Sequence, residues 1–594
     1  MAVINDYFQK TNELIKEYGE KALVLMQIGD FFEVYGFKNT LTGEIYGSAI
    51  KKFATICNFN IATKSNISFT SVPREKHIDI VMAGCPKYVI EKWADRLQNE
   101  GFTCAVYTQD SKKKNTTRSL EFICSPGTHF INEGSQLSNN IMCIKICNIP
   151  PTRLNTKARI IIGLANVDVY TGISTYNEYI ENYYHNPTTF DSVERFYSIF
   201  NPSEIIIIYD STTLSYNKIL DIMKFINIHS KCVHNVDING STQLSQKVKM
   251  CEKQTYQLEI YKQFFTITDT ASFMDTNRFN NFHIGSQAYC YLLDFIYSHN
   301  PNLIKKICIP TIENSSSNLQ LANHSLKQLN IIDDNNYSGK LSSVINFINN
   351  CVTPMGKRKF AEQLLHPTTN IKWLNKEYSI VDYMYSNLDS FQYVYDGLRE
   401  INDIQRYYRK IILEKATPID IVVINDNIHT AVRLFNKIKH DRSIMEYLNK
   451  SQVVQHANTL MKYISASLDI NICKDIHMND INKNFFIRGQ YPNIDKIERN
   501  YVDSMDKFNC IQMFCSFKLT KSSTKSHING VKIHTTEKSG SYLKTTKTRG
   551  ELLKSVLSAK EKLIYKSSYD GKTKCFILDG NIELSSSTGN NRKI

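Results

Sequence analysis

The period of the apolar positions changes several times along the chain, and each change predicts an element. Leu23-Val24-Leu25-Met26-Gln27-Ile28 is a strand-length run that meets Gly29-Asp30, a pair suited to a turn or to a helix start. Val81-Met82-Ala83-Gly84 leads through Pro86 into residues 88–97, where helical spacing stops at Gly101 and a strand follows over 103–107. Residues 132–140 and the Pro150-Pro151 pair bracket a predicted linker. Beyond it, 160–167 reads as a buried strand, Tyr170-Thr171-Gly172 as a turn, and Asp191–Phe200 as an amphipathic helix ended by Asn201-Pro202. The β-branched run 205–209 has the texture of a strand covered on both faces. A compact α/β domain is therefore expected over about 140–265. After about residue 270 Gly and Pro thin out and helical periodicity takes over. Residues 396–413 place Leu398, Ile401, Ile404, Ile411 and Ile412 on one stripe, which predicts one long amphipathic helix. From about Lys518 short segments rich in Thr, Ser, Lys and Gly predict a β-rich, basic module.

The length of 594 residues implies about three to five domains. Lys and Arg number 71 against 57 Asp and Glu, a net charge of +14 that favours a polyanionic partner. With 42% hydrophobic and 22% charged residues, disordered, collagenous and coiled-coil classes are excluded over most of the length. No apolar run approaches the roughly 18–20 residues of a membrane helix. The start, Met1-Ala2-Val3-Ile4-Asn5-Asp6-Tyr7, lacks a basic segment followed by an apolar one, so an intracellular, reducing location is expected. The close pairs Cys143/Cys147 and Cys510/Cys515 lack a second pair at zinc spacing, so no metal site is expected. No paired carboxylates, Ser/His/Asp set or metal cluster can be assigned, so no catalytic residue is named.

The chemistry concentrates in Gly29-Asp30-Phe31-Phe32-Glu33-Val34-Tyr35. One reading is an ordinary helix start, with Asp30 as cap, Glu33 at the third helical position and the aromatics packed inward. The other is an apolar wedge pushed between base steps from the minor groove, for which a mispaired step is cheaper to open. A carboxylate beside the wedge can accept a base N–H, or donate if the phosphate field protonates it. Phe31 and Glu33 are the candidates for these two roles.

This segment resembles the mismatch-reading motif of the MutS family of DNA mismatch-repair proteins, and further segments resemble the family in the same order. They are Met82-Ala83-Gly84-Cys85-Pro86, Ser125-Pro126-Gly127-Thr128, Gly163-Leu164-Ala165 with Asp168 and Thr171-Gly172, and Leu326-Lys327-Gln328-Leu329-Asn330-Ile331. Thr353-Pro354-Met355-Gly356-Lys357-Arg358, Asp396-Gly397-Leu398-Arg399 and Gly489-Gln490-Tyr491-Pro492-Asn493-Ile494-Asp495 continue the series. Phe32 stands where the family more often has Tyr. The texture is similar to the large-virus or organellar branch.

The resemblance implies a multidomain α/β plus α fold. Its parts would be a mixed α/β mismatch-recognition domain (1–130), an RNase H-like α/β connector (140–265), a helical core and lever (270–480) and a β-rich clamp (481–594). It implies binding of double-stranded DNA with mismatches or small loops, with Phe31 as wedge and Glu33 on the displaced base. Lys518, Lys521, Lys525, Lys532, Lys544, Lys547 and Arg549 are the candidates for phosphate contacts. Lys538, Lys554, Lys560, Lys562, Lys566, Lys572 and Lys574 add charge around them, set against Glu537, Glu551, Glu561 and Asp570. Arg118, beside Lys112-Lys113-Lys114, is a lesser candidate. A homodimer and a downstream repair protein are the implied partners.

The family's ATPase would need Gly-x-x-x-x-Gly-Lys-Ser/Thr, and Gly571-Lys572-Thr573 carries only its end, with Lys at 566. ATP and Mg2+ are therefore expected only through a C-terminal domain outside this chain. Structure-selective binding of branched DNA, and a share in a split ATPase, are the alternative functions.

Overall fold

A computed structural model describes residues 2–64, 78–109, 117–128, 130, 136–151, 158–181, 187–304, 307–312, 319, 324–333, 339–448, 453–476, 484–521, 530–536, 540–557, 560–579, 585–586 and 591–593. Two compact units divide the chain, Met1–Val454 and Gln455–Ile594.

The first unit opens with helix α1 (Ala2–Tyr18) and strands β1 (Ala22–Ile28), β2 (Phe31–Asn39) and β3 (Ile45–Tyr46). Helix α2 (Ile50–Cys57), β4 (Ala62–Thr63), β5 (Ile78–Pro86), α3 (Ile90–Asn99), β6 (Thr103–Gln109) and β7 (Arg118–Cys124) follow. The strands form one sheet in the order β4-β5-β2-β1-β6-β7, with β3 on β2. Strand alternation sorts β2 into two faces. Phe37 stacks on Phe8 of α1 at 4.1 Å and Tyr35 meets Tyr7 edge-on at 5.1 Å, whereas Gly36 backs onto Ile50 of α2. Helix α1 thus covers one face, and α2 with its Phe53, Phe59 and Trp93 cluster lies on the other. The helix start at Asp30 does not form. Gly29-Asp30 is instead the two-residue turn of a β-hairpin, with Ile28 opposite Phe31.

The second sheet uses β8 (Asn140–Ile149), β9 (Arg159–Asp168), β10 (Ser174–Glu181), β11 (Glu204–Tyr209), β12 (Cys232–Asp237) and β13 (Thr311–Ile312), in the order β12-β11-β8-β9-β10-β13. Strand β8 fills most of the stretch expected to be a linker, because Ile141, Cys143 and Ile144 are buried on both faces of the sheet. The run 205–209 lies inside β11, wholly buried between β8 and β12 as its β-branched texture predicts. On one face a helix, His283–His299, crosses so closely that a Cβ at Gly163 would lie 2.3 Å from the Ile284 carbonyl oxygen. Gly163 is therefore fixed by packing rather than by a turn.

The rest of this unit is mainly helical. The long helix expected over 396–413 is two helices, Leu388–Arg399 and Ile404–Ile412. Asp403 ends the continuity by capping the second, accepting from the Arg406 backbone N–H at 3.3 Å. Arg358 then forks onto Asp403 at 2.6 and 2.7 Å and also reaches the Leu137 carbonyl, which ties the Thr353-Pro354-Met355-Gly356 helix start to the joint.

In the second unit a 30-residue helix, Pro492–Lys521, fills the early part of the stretch 481–594 expected to be a β-rich clamp, and the strands follow it. Strands Lys532–Thr536, Gly540–Thr546, Ser585–Ser586 and Asn591–Lys593 make one sheet, and Lys560–Lys566 with Thr573–Asp579 make a separate hairpin. A small core of Cys515, Leu519, Val531, Leu543 and Leu553 joins the long helix to the first sheet and to helix Lys547–Val556. Among the described residues no helix is long and apolar enough to cross a membrane.

Candidate nucleic-acid interface

The β1–β2 hairpin presents Phe31 at its tip. Gly29 has φ +60° while Asp30 is not in the left-handed region, the pattern of a type II′ turn, which matches the twist of its strands. The turn is bracketed from both sides. The Gly29 N–H donates to Gln109 Oε1 at 3.2 Å, the Gln27 amide donates to the Gly29 carbonyl at 2.8 Å, and the Gln109 N–H donates back to Gln27 Oε1 at 3.1 Å. On the β5 side the Lys87 N–H donates to the Asp30 carbonyl at 2.8 Å. Phe31, opposite Pro86, remains 49% exposed, so its ring is not a core side chain. Phe32, one residue on, points the other way and is buried. Tyr88, just past Pro86, is also exposed.

Glu33 lies on the same strand face as Phe31, two residues in, and is buried. Its Oε2 accepts from the Tyr35 hydroxyl and from Lys64 Nζ at 2.8 Å, and Lys64 Nζ donates to the Tyr35 oxygen at 2.8 Å. Burial, then the hydrogen bond to Glu33, push the Tyr35 phenol above its ordinary range, so it keeps its proton. Gly84 sits opposite Glu33, and a Cβ there would lie 2.5 Å from the Phe32 carbonyl oxygen and 3.3 Å from Glu33 Cγ. The carboxylate fits because its cross-strand neighbour has no side chain.

Sequence reasoning brought Phe31 and Glu33 together but missed Tyr35 and Lys64. A strand reading would have given Tyr35, which shares the period-2 face; Lys64, 31 positions away, leaves no local signal. Arg118, the lesser candidate, braces the hairpin with its Nε, which donates to the Gln27 carbonyl at 2.8 Å. Lys112-Lys113-Lys114 lie outside the described residues.

The basic residues of the second unit divide into paired and exposed groups. Lys518 pairs with Glu561 at 2.7 Å, and Lys574 with Asp503 at 2.6 Å. Lys532 is exposed and sits opposite the half-buried Lys544 in the sheet register. Lys547 is exposed at the start of its helix, Arg549 is half-buried in the same helix, and Lys521 ends the long helix. Lys525 and Lys538 lie outside the described residues. On the 560–566 strand, Lys560, Lys562 and Lys566 alternate with the buried Leu563 and Tyr565, so one face carries three exposed cations. Gly571-Lys572-Thr573 is the turn of this hairpin, with the Ser567 N–H bonded to the Lys572 carbonyl and Gly571 at φ +69°. No helix N-terminus follows to receive a phosphate, so these residues do not fit a nucleotide.

One mixed donor cluster lies elsewhere in the first unit. Glu204 Oε2 accepts from the Gly127 N–H at 2.8 Å and the Ser125 hydroxyl at 2.5 Å, while Oε1 meets His234 Nε2 at 2.6 Å, with Cys232 Sγ 3.4 Å from the same nitrogen. A 2.6 Å contact is a charge-assisted hydrogen bond, shorter than the about 3.3 Å that two nitrogen or oxygen ligands keep across a tetrahedral zinc. Burial opposes charge on His234, but its bonds to Cys232 and Glu204 carry its pKa up to about 10. The cluster is an ionic clasp that holds the Ser125-Pro126-Gly127-Thr128 turn against β11 and β12.

Comparison with known proteins places the chain in one family. Residues 8–133 match the family model described as MutS domain I, and residues 324–569 match MutS domain III. A mutS homologue of Acanthamoeba polyphaga mimivirus is 24% identical over 575 residues, covering 94% of this chain and 50% of that protein. The DNA mismatch repair protein MutS of Caldanaerobacter subterraneus is 22% identical over 493 residues, 82% of this chain and 49% of its own length. That of Fusobacterium nucleatum is 22% identical over 449 residues, 73% and 43% respectively. The chain thus spans about half the length of the curated relatives it matches.

Proposed function

We propose, from the premise that this chain belongs to the MutS family, that it binds mismatched double-stranded DNA in mismatch repair. The observation that carries this reading is the half-exposed Phe31 at the tip of a braced hairpin, with Glu33 on the same face. An aromatic ring fixed in that way can enter between base steps, and a mispaired step opens at lower cost than a paired one. Selectivity then comes from local duplex weakness and needs no reading of sequence.

The exposed lysines of the second unit supply the sequence-independent part by displacing counterions from phosphates. In family terms the parts are a mismatch-recognition domain over 1–130, a connector over 140–265, a helical core and lever over 270–480 and a clamp over 481–594. The relatives' further length would hold ATP and Mg2+, which the described residues around Gly571 do not fit, and the whole protein would act as a homodimer. The test is binding of the chain to matched duplex, mismatched duplex and a four-way junction at one salt concentration. Phe31→Ala should remove the preference for mismatched over matched duplex and leave salt-sensitive binding largely intact. Equal loss on both duplexes, or a wild-type preference for the junction, would reject the reading in favour of a branched-DNA binder.

A further inference from the structure

Glu33 faces the site with one of its two oxygens already engaged. Oε2 sits in a closed ring with the Tyr35 hydroxyl and the Lys64 ammonium, in which Tyr35 donates to Glu33 and accepts from Lys64. Among the described residues Oε1 has no hydrogen-bond partner. A carboxylate that receives a hydroxyl proton and an ammonium on one oxygen has only acceptor capacity on the other. The ring is built into the sheet. Tyr35 is held edge-on by Tyr7, Lys64 follows β4 and lies over the Tyr35 ring at 4.7 Å, and Gly84 leaves the room for Glu33.

We propose that Tyr35 and Lys64 are positioning residues that hold Glu33 as an acceptor, so that the site favours mismatches presenting an imino N–H beside Phe31. The proposal rests on the mismatch-binding reading above. On their pairing edges guanine carries N1–H and thymine N3–H, whereas adenine N1 and cytosine N3 only accept. A G·T pair therefore offers the needed donor whichever base the ring displaces. An A·C pair has no imino N–H. Its amino donors, adenine N6–H2 and cytosine N4–H2, lie on the major-groove side away from the wedge. Its ring nitrogens turn lone pairs toward the Glu33 lone pair, and a buried acceptor left without a donor is costly.

The experiment titrates the full chain at pH 8 with G·T, A·C and matched duplexes of identical flanks. Wild type should bind G·T about tenfold more tightly than A·C, the size of one hydrogen bond to a charged group. Tyr35→Phe keeps the ring against Tyr7 and removes only the hydroxyl; it and Lys64→Met should bring the ratio to within about twofold, and Lys64→Arg should restore it. Matched-duplex affinity of Tyr35→Phe should stay unchanged. Equal weakening of G·T and A·C binding would mean that the ring serves only folding, and would overturn the proposal. If Phe31→Ala abolishes mismatch preference while Tyr35→Phe leaves the G·T to A·C ratio unchanged, this inference fails and the mismatch-binding reading stands. If wild type prefers neither mismatch over matched duplex, both fail.

Discussion

Under the proposed function, the hairpin tip and the lysine face of the second unit would meet a duplex in opposite ways. At the tip a single ring is held by backbone and amide hydrogen bonds from β5 and β6, and the group beside it is buried and fully oriented. On the 560–566 strand the cations are three, exposed and mutually equivalent, and the buried residues alternate beneath them only to hold the strand down. Fixed geometry at one point suits discrimination, because a displaced ring loses its fit. Repeated charge suits affinity, because each phosphate contact contributes alike. The two regions should therefore fail in different ways when altered.

Removing the Phe31 ring should have the largest effect. Phe31→Ala is expected to cost roughly 2–3 kcal/mol of mismatch preference, about 30- to 150-fold, as for other buried aromatic anchors at interfaces. A mismatch-to-matched ratio that stays within twofold in gel-shift or anisotropy titrations would break the contrast.

Next comes Gly84→Ala. The added Cβ meets backbone 2.5 Å away, so β2 must move, and overpacking of this kind costs about 1–3 kcal/mol. Thermal unfolding should show the lower stability, and mismatch preference should fall although no DNA-facing atom has been removed. A variant with wild-type stability and selectivity would show that the tip needs less support than the geometry implies.

A third effect is separation of the two regions by pH. His234 titrates near 10 in the fold against 6.5 for an ordinary imidazole, so its stabilising contribution is complete below pH 6.5 and is lost as pH rises through 10. Burial holds His299 down to about 4, so what its neutral form contributes is present above pH 6.5 and lost as pH falls through 4. Stability of the first unit should therefore peak near pH 6.5 and fall on the alkaline side by at most about 1.4 kcal/mol per pH unit. His234→Gln should flatten that alkaline limb in a pH series of unfolding curves. An alkaline limb unchanged in the variant would remove the clasp from the account.

The smallest effect should belong to any one lysine. Lys562→Ala is expected to weaken matched and mismatched binding alike by about fivefold and to lower the salt slope by about 0.9. A selective loss on mismatched duplex would move Lys562 from the distributed class to the oriented one.

The elements that the sequence made legible are those whose signal is local. The run 205–209 is buried on both faces as β-branched texture predicts, the Asp191–Phe200 helix ends at Asn201, and Phe31 and Glu33 share a face because two positions always do on a strand. The errors arose where a distant partner decides the outcome. Gly29-Asp30 reads equally well as a helix start or a hairpin turn until Gln109, at the end of β6, and Lys87, just past β5, fix it. The stripe from Leu398 to Ile412 is continuous in sequence, but Asp403 is drawn out of the helix by its own cap and by Arg358, 45 positions earlier. Lys64 and the Glu204–His234 clasp were invisible for the same reason: each depends on a contact some 30 residues away.

That joint at Asp403 carries a mechanical consequence. Helices Leu388–Arg399 and Ile404–Ile412 do not form one shaft, so torque on the first is not delivered rigidly to the second. It passes through four backbone residues, the guanidinium fork of Arg358 and the Asn427 amide oxygen that accepts from the Asn402 N–H at 2.9 Å. The coupling behaves as a hinged linkage held by the Arg358–Asp403 and Arg433–Glu400 ion pairs and the Asn402–Asn427 bond, and replacing Arg358 would loosen it without shortening either arm.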